Sequence, residues 1–254
     1  MRTATPEERA RQRLPHQLRV LTYNIRHGQG MDGQLDLERV ATIIRRLDPD
    51  LVALQEVDRG TRRAGGVDQP VELGRLTGLH AIFGIAMNFD DGQYGETVLS
   101  RHPVTTSKVH PLPCGTNSEP RCALEVHVSW PMGANLIFIA THLDQLDAPT
   151  NRIAQARAMV KLCARNDQTP MILAGDMNAQ PDSQPIRILT ETWFDTGLGH
   201  VLHTFPAADP KEQIDHVFVK PAAWWRVLEI RTIEEKVASD HYPLFVVLES
   251  RFGN

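Results

Sequence analysis

Short apolar runs alternate with amphipathic stretches along most of the chain. The run from Arg19 to Tyr23 predicts a strand, and apolar residues spaced three and four apart between Leu37 and Leu47 predict a helix. Pro49 ends this helix, because the residue before a proline is pushed out of helical backbone. A fully apolar strand, Leu51 to Leu54, follows. This order of elements indicates an α/β architecture.

Further apolar runs have the length of buried strands. They are His80 to Ile85, Thr97 to Ser100, Ala123 to Val128, Leu136 to Ala140, Met171 to Ala174, His216 to Val219, Val227 to Ile230 and Leu244 to Leu248. A second helix fits Asn151 to Ala164, which gathers apolar residues on one face. Strands with helices interposed predict two sheets packed face to face with helices outside, a layered α/β sandwich.

The chain is 254 residues long, about the size at which a single core stops growing, so we expect one domain. Residues 1–16 are rich in Pro, Glu and Arg without a hydrophobic period, which is typical of a flexible arm. The folded domain is therefore expected over residues 17–254. No apolar stretch approaches the roughly 20 residues of a membrane span and no apolar signal core follows the start, so we expect a cytoplasmic protein.

The net charge of -4 makes duplex DNA a disfavoured partner, because proteins that grip DNA without sequence preference usually present a basic field. Arg62 and Arg63 could bind a phosphate locally, although such pairs more often lie in solvated loops. Three cysteines without a C-x-x-C pair indicate neither a disulfide framework nor a structural zinc site. Nothing in the sequence indicates an obligate protein partner.

Several predicted strands end on a residue that can bind metal or move a proton. Each has an ordinary structural explanation alone, such as capping a turn, but the same residue types recur at separate strand ends. They are Asn24, Glu56, His142, Asp176 with Asn178 two residues on, and the pair Asp240 and His241 before the last strand. If these strand ends share one rim of the sandwich, the side chains converge.

Convergence of these groups suits hydrolysis of a phosphate ester. The reaction places negative charge on the phosphoryl oxygens, and a hard cation such as Mg²⁺ stabilises that charge while binding carboxylate and amide oxygens. Glu56, Asp240 and Asn24 supply such oxygens. The attacking water needs a base, and His or Asp can serve when a neighbour fixes its orientation. The residues thus predict a metal-dependent esterase site.

Six motifs in order along the chain resemble the endonuclease/exonuclease/phosphatase superfamily, which is DNase I-like. They are Thr22-Tyr23-Asn24-Ile25-Arg26-His27-Gly28, Leu54-Gln55-Glu56-Val57-Asp58, Thr141-His142-Leu143-Asp144, Gly175-Asp176-Met177-Asn178, Ile214-Asp215-His216-Val217 and Ser239-Asp240-His241-Tyr242-Pro243. The resemblance covers Leu18 to about Leu248 and looks most like the compact bacterial metal-dependent hydrolases. It implies a four-layer α/β sandwich of two mainly antiparallel sheets, with the site at one end.

The resemblance also implies roles for the motif residues. Glu56 would be the principal ligand of Mg²⁺ or Mn²⁺, with Asn24 and Asp240 beside it. Asp176 and Asn178 would orient and activate the water, and His142 would contact the phosphate. His241 would act as base or transition-state stabiliser, oriented by Asp215. Whether Asp176 or His241 takes the proton stays open.

Three further expectations follow from the same resemblance. Tyr94-Gly95-Glu96 is similar to a Tyr-x-Glu stretch of DNase I, which would place Tyr94 on the phosphate and pair Glu96 with His142. Arg121 stands where relatives often have a phosphate-binding Arg. Arg26 replaces an acidic residue of some abasic-site endonucleases, so Arg26 or His27 would meet the phosphate instead of a second metal.

Three functions remain open from the sequence. The favoured one is a hydrolase of a small or lipid-linked phosphodiester or phosphomonoester, which fits the acidic net charge. The alternative is a DNA or RNA nuclease, which the DNase-like Tyr94 and Glu96 support. A catalytically silent binding protein would have lost core residues, yet all of them are present. The natural substrate, the number of metals and the oligomeric state are not specified by these patterns.

Overall fold

A computed structural model describes residues 16–116, 118–130, 135–164 and 169–251. Within these residues the chain forms twelve strands: β1 Gln17–Asn24, β2 Leu51–Arg59, β3 His80–Phe89, β4 Gly92–Ser100, β5 Val104–Pro111, β6 Cys122–Ser129, β7 Asn135–His142, β8 Met171–Asp176, β9 Phe194–Asp195, β10 Asp215–Lys220, β11 Trp225–Thr232 and β12 Leu244–Ser250. Its α-helices are α1 Leu37–Leu47, α2 Gln69–Thr77, α3 Thr150–Cys163 and α4 Gln184–Thr190, and short 3-10 turns span Arg26–Gly28 and Ala222–Trp224.

The strands form two six-stranded sheets. The first has the order β11-β12-β1-β2-β4-β3 and the second the order β5-β6-β7-β8-β10-β9. In each sheet one central pair is parallel, β1 with β2 and β7 with β8, and the other neighbours are antiparallel. A helix connects each parallel pair, because parallel neighbours need a long crossover connection. The predicted mainly antiparallel sheets are confirmed.

Side chains that point alternately to the two faces of each strand account for the layers of the domain. In β1, Leu18 and Val20 pack between the sheets with residues of the second sheet such as Phe138, while Leu21 and Tyr23 pack on the side of α1 and α2. A third apolar cluster lies between the second sheet and helices α3 and α4. Successive side chains of a strand point to opposite faces, so apolar side chains on both faces require helices outside each sheet. The four-layer α/β sandwich is confirmed.

The helix ends follow local chemistry. The Asp36 side chain caps α1 by accepting a hydrogen bond from Arg39 N at 2.9 Å, and α1 ends at Asp48 in left-handed backbone. Asp68 caps α2 in the same way, with Pro70 in its first turn. These are common start and stop signals of helices. The predicted first helix agrees with α1, and the predicted second helix is α3 shifted by one residue.

The predicted flexible arm, residues 1–16, lies outside the described residues except for His16. The backbone oxygen of His16 accepts a hydrogen bond from Ser250 N at 2.8 Å, so the first and last described segments meet. Among the described residues, no helix has the length and apolar character required to cross a bilayer.

Candidate active site

A bulge in β2 directs Glu56 into the site. The pairing of β2 with β4 shifts register between Leu54 and Val57, and Glu56 has a φ of 58°. The left-handed region is strained for a residue with a Cβ atom, and such strain is often found at functional sites. The strand therefore does not end at Glu56, as the sequence pattern suggested, but continues to Arg59 beyond the bulge.

The rim of the first sheet joins the two ends of the domain. Asn24 ends β1, and Asp240 and His241 directly precede its antiparallel neighbour β12. The Ser239 hydroxyl donates to the backbone oxygen of Asn24 at 2.7 Å and fixes the approach of these segments. The Asn24 amide nitrogen lies 3.0 Å from Glu56 Oε1 and 3.1 Å from Asp176 Oδ2. Asn24 thus connects both sheets.

Strand register places three site residues side by side on the second sheet. Asp176 at the end of β8 pairs with His142 of β7 on one side and with Asp215 of β10 on the other. The preceding residue is Gly175, where an added Cβ would lie 1.9 Å from the backbone oxygen of Thr141. Glycine is therefore required for β7 and β8 to approach this closely. Backbone pairing alone brings the three polar side chains to one edge.

Asp215 of the second sheet orients the ring of His241, which lies on the rim of the first sheet, toward Asp176. His241 Nδ1 lies 2.9 Å from Asp215 Oδ2, and Nε2 lies 3.6 Å from Asp176 Oδ2. Burial opposes the charged ring, but the carboxylates of Asp215 and Asp176 outweigh it and raise the pKa of His241 well above its usual value. Burial and then the charge of Asp215 raise the pKa of Asp176. The ring of Phe205 packs on His241 with centroids 4.9 Å apart.

His142 has the opposite electrostatic setting. Arg121 Nη1 lies 2.9 Å from His142 Nδ1, and the carboxylate oxygen Oδ2 of Asp176 lies 3.4 Å from Nε2. A guanidinium only donates, so Nδ1 accepts, and the ring proton belongs on Nε2, where it faces the Asp176 carboxylate. The Asn178 amide nitrogen donates to the backbone oxygen of Leu143 at 3.0 Å. Burial first, and then the positive charges of Arg121 and His241, hold the pKa of His142 well below its usual value. The two histidines of the site therefore differ in charge.

These side chains line one cleft of about 280 Å³. Its wall contains Glu56, Tyr94, Arg121, His142, Asp176, Asn178, Asp240 and His241, all of which the sequence singled out. Arg121 also contacts the Tyr94 hydroxyl, with a donor distance of 3.3 Å, as well as Glu119 and Gln145. The structure thus brings most of the predicted site residues together, with Asn24 and Asp215 bonded to them from behind.

Three predicted residues lie elsewhere. Glu96 is fully buried near Arg121, but its oxygens have no hydrogen-bond partner among the described residues, and burial raises its pKa well above the usual range. The expected pair of Glu96 with His142 is not formed, because Arg121 occupies Nδ1 of that ring. Arg26 Nε lies 3.7 Å from Asp240 Oδ2 at the edge of the site. His27 does not line the cleft.

Sequence reasoning did not assign part of the cleft wall. The remaining lining residues are Arg63, Met87, Phe89, Glu119, Gln145 and Phe205. They come from the loop after β2, from the end of β3, and from loops around β6, β7 and β10, and none belongs to a recognisable motif. The arginine pair at 62 and 63 was a signal, but only the structure separates the exposed Arg62 from Arg63 in the cleft.

The residues fit a divalent cation at the rim of the first sheet. Glu56 has Asn24 as its hydrogen-bond partner, and burial first and then the nearby Asp240 raise its pKa, so a cation bound between the two carboxylates would offset their repulsion. Two carboxylates and an amide are the ligand types that Mg²⁺ and Mn²⁺ prefer. Asp176, Asp215 and His241 also place possible ligand atoms within 4.8 Å of one another, but Asp215 and His241 already bond to each other.

Comparison with known proteins agrees with this geometry. The architecture is the DNase I-like α/β sandwich, with the polar cleft at the end of the two sheets. The model of the Endonuclease/Exonuclease/phosphatase family matches residues 21–241. The chain belongs to this family, whose members hydrolyse phosphate esters. None of the curated proteins compared matches the chain.

Solved structures share the fold over nearly the whole chain. An endonuclease/exonuclease/phosphatase from Beutenbergia cavernae is 26% identical, with a TM-score of 0.77 over 92% of this chain and 72% of that one. A mannosyl-6-phosphatase from Bacteroides thetaiotaomicron is 21% identical, with a TM-score of 0.74 over 91% of this chain and 99% of that one. A humanised D. rerio TDP2 is 19% identical, with a TM-score of 0.74 over 92% and 100%.

Proposed function

We propose that the protein is a divalent-metal-dependent phosphoesterase that hydrolyses a small or lipid-linked phosphate ester with an activated water. One observation carries the proposal. Glu56 and Asp240, which suit a cation, line the same cleft as Asp176 and His241, which suit proton transfer and charge stabilisation. Hydrolysis of a phosphate ester needs both sets of groups around one phosphorus atom.

Glu56 and Asp240 would hold Mg²⁺ or Mn²⁺, with the oxygen of Asn24 as a further ligand. The cation would supply stabilisation of the negative charge on the phosphoryl oxygens. The Asn24 amide now directs its nitrogen to Glu56 and its oxygen to the backbone N–H of Arg26, at 3.0 Å. Ligation through the oxygen therefore requires rotation of this amide.

Asp176 is our candidate for the group that accepts the proton of water. The backbone N–H of Asn178 donates to its Oδ1 at 2.9 Å, and the Asn24 amide donates to its Oδ2, so both oxygens are held in place. His241 is better suited to stabilise charge, because Asp215 favours its protonated form. A neutral His142 donates through Nε2, and its ring is fixed by Arg121.

The dimensions of the cleft favour a small substrate. Its volume of about 280 Å³ lies just below the range of about 300–1,000 Å³ common for small-molecule pockets. Met87, Phe89 and Phe205 contribute apolar surface to its wall, where the alcohol part of an ester can pack. The net charge of -4 likewise argues against a strong grip on nucleic acid. A nuclease is therefore the second candidate and an outcome of the test.

The test is hydrolysis of bis-p-nitrophenyl phosphate and p-nitrophenyl phosphate with Mg²⁺, Mn²⁺ or EDTA, with plasmid nicking in parallel. We expect ester hydrolysis that EDTA abolishes and excess metal restores, without nicking. Nicking at comparable enzyme concentrations would instead support the nuclease. Glu56→Gln is the matched control for contaminating phosphatases, since it preserves shape but removes the charge. Equal hydrolysis by this variant, or no hydrolysis by the wild type, would contradict the proposal.

A further inference from the structure

Arg63 is a second guanidinium in the cleft, and Asp58 holds it in a fixed orientation. Nε and Nη2 of Arg63 donate to Oδ2 and Oδ1 of Asp58 at 2.6 and 2.8 Å. Asp58 is fully buried, and its Oδ2 also accepts a hydrogen bond from the Thr61 hydroxyl at 2.6 Å. A bidentate pair with a buried carboxylate defines the plane of the guanidinium. The cleft therefore contains a cation whose position is already ordered.

Aromatic rings and the backbone hold Arg63 further. Its Cζ lies 4.5 Å from the ring centroid of Phe89 and 5.5 Å from that of Tyr94. Its backbone N–H donates to Asp90 Oδ2 at 2.7 Å, in the turn between β3 and β4. Stacking on an aromatic face and a bidentate ion pair are contacts that Arg makes better than Lys. These contacts lower the entropy cost of binding a ligand through Arg63.

One edge of the Arg63 guanidinium remains available to a ligand. The side-chain hydrogen bonds of Arg63 with the described residues are made by Nε and Nη2 and not by Nη1, and the side chain keeps 31% of its surface exposed in the cleft. Arg121, by contrast, is buried and donates to several side chains of the protein. Arg121 Nε also has no hydrogen-bond partner among the described residues, but it is buried. Of the two guanidiniums, Arg63 is therefore the one that keeps exposed surface for a substrate.

The two guanidiniums contact different parts of Tyr94. Arg63 lies over the face of the ring, whereas Arg121 donates to the hydroxyl and lies against His142. Arg121 therefore lies against His142, at the side of the cleft where the ester bond would break, and Arg63 lies against Phe89 in the apolar part of the wall. That wall suits the alcohol part of the substrate.

We propose that Arg63 is a specificity-determining residue that binds an anionic group on the alcohol part of the substrate, with Asp58 as its positioning residue. The inference rests on the proposed phosphoesterase function and narrows it to phosphate esters that carry a second phosphate or carboxylate. Charge-assisted hydrogen bonds from a guanidinium in fixed orientation recognise both groups through the same pair of oxygens.

The experiment compares phenyl phosphate with 3-carboxyphenyl phosphate and 4-carboxyphenyl phosphate, which differ by one carboxylate. Released phosphate gives kcat/KM for each with Mg²⁺. We expect the wild type to prefer one carboxylated ester by about tenfold or more, the size of one charge-assisted hydrogen bond. In Arg63→Gln this ratio falls to about one, and Arg63→Lys gives an intermediate ratio because Lys cannot form the bidentate pair.

Arg62→Gln is the matched control, since the neighbouring Arg62 is exposed and pairs with Asp90 and Asp91. It should keep the wild-type ratio. A wild type without preference, or an Arg63→Gln ratio equal to that of the wild type, would overturn the proposal. An equal loss on all three esters would do the same, since it would place Arg63 on the phosphate that is cleaved.

Calorimetric titration with the same three compounds separates this proposal from the proposed function. If none is hydrolysed but the wild type binds a carboxylated ester more tightly and Arg63→Gln does not, the phosphoesterase is contradicted and the anion subsite is supported. If neither hydrolysis nor a difference in affinity is found, both are contradicted. Unfolding midpoints of the variants show whether a changed ratio arises from misfolding.

Discussion

The rims of the two sheets meet in the cleft and have similar strand arrangements, but the hydrogen bonding of their polar side chains differs. Each sheet has a central parallel pair, and each pair ends on polar residues, Asn24 near Glu56 on the first sheet and His142 with Asp176 on the second. On the second rim the polar groups are bonded to one another. On the first, Glu56 has Asn24 as its hydrogen-bond partner. The difference teaches that hydrogen bonds within the protein fix the polar side chains of the second rim, whereas the first rim suits a cation from solution.

Glu56→Gln should have the largest effect on activity, because it removes the charge of a proposed metal ligand on the first rim. We expect kcat/KM to fall at least about 10³-fold, since a cation contributes several kcal/mol to stabilising the transition state. Steady-state kinetics across a metal titration measures this. The metal-free unfolding midpoint should not fall, because a neutral amide replaces a poorly solvated carboxylate. A large loss of stability would mean that Glu56 serves the fold and not the metal.

Asp215→Asn and His241→Ala probe the hydrogen-bonded pair that joins Asp215 of the second sheet to His241 before β12 of the first. Each should lower kcat by about 10² to 10³-fold while metal affinity stays near that of the wild type, because these residues act on charge and proton transfer. The double variant should be no worse than the poorer single one, since the two form one unit with Nδ1 and Oδ2 2.9 Å apart. Multiplied effects in the double variant would show that they act independently.

Metal should stabilise the fold through Glu56 and Asp240 and not through His241. At a metal concentration 100 times the Kd, the free energy of unfolding rises by about 2.7 kcal/mol. For a chain of this size that is roughly 5 to 10 °C in Tm, measured by calorimetry with Mg²⁺ or Mn²⁺ against EDTA. His241→Ala should keep the shift, and Glu56→Gln should lose it. The reverse pattern would move the metal site to Asp176, Asp215 and His241.

Tyr94→Phe should have the smallest effect. The hydroxyl of Tyr94 contacts Arg121 at a long 3.3 Å, and Arg121 keeps its contacts with Glu119, His142 and Gln145 in the variant. We expect kcat/KM to fall only about threefold, in line with the roughly 0.5–1.5 kcal/mol of one neutral hydrogen bond. A loss beyond 10²-fold would show that the hydroxyl itself contacts the phosphate.

Much of the fold could be predicted from hydrophobic patterning, and what was missed has identifiable causes. Edge strand β5 is rich in Thr, Ser and Lys and largely exposed, so it lacks the apolar run that marked the central strands. Strand β9 has only two residues. Helix α2 has a weak apolar face, although Asp68 and Pro70 are the residue types that commonly start a helix. Helix α4 is only seven residues long.

Site residues at the ends of strands could be predicted from the sequence, whereas site residues whose positions depend on loops were harder to predict. His142, Asp176 and Asp215 follow from register, and a sequence motif marks each of them. The bulge at Glu56 and the placement of Arg63 and Phe89 depend on loop backbone and on contacts between distant segments, which hydrophobic periodicity does not encode. The expected pair of Glu96 with His142 is absent for the same reason, because Arg121 reaches His142 from the loop before β6.

The position of β1 between β2 and β12 has a consequence for the order of events during synthesis. The bond from the Ser239 hydroxyl to the Asn24 backbone oxygen joins residues 215 positions apart. As the chain leaves the ribosome, β1 emerges before β12 and lacks this neighbour until residues 244–250 follow. Contacts of such long range form late in folding. A nascent chain stopped before residue 239 would contain Glu56, His142 and Asp176 but no closed cleft. Activity would therefore appear only after β12 has joined the sheet and the domain has folded.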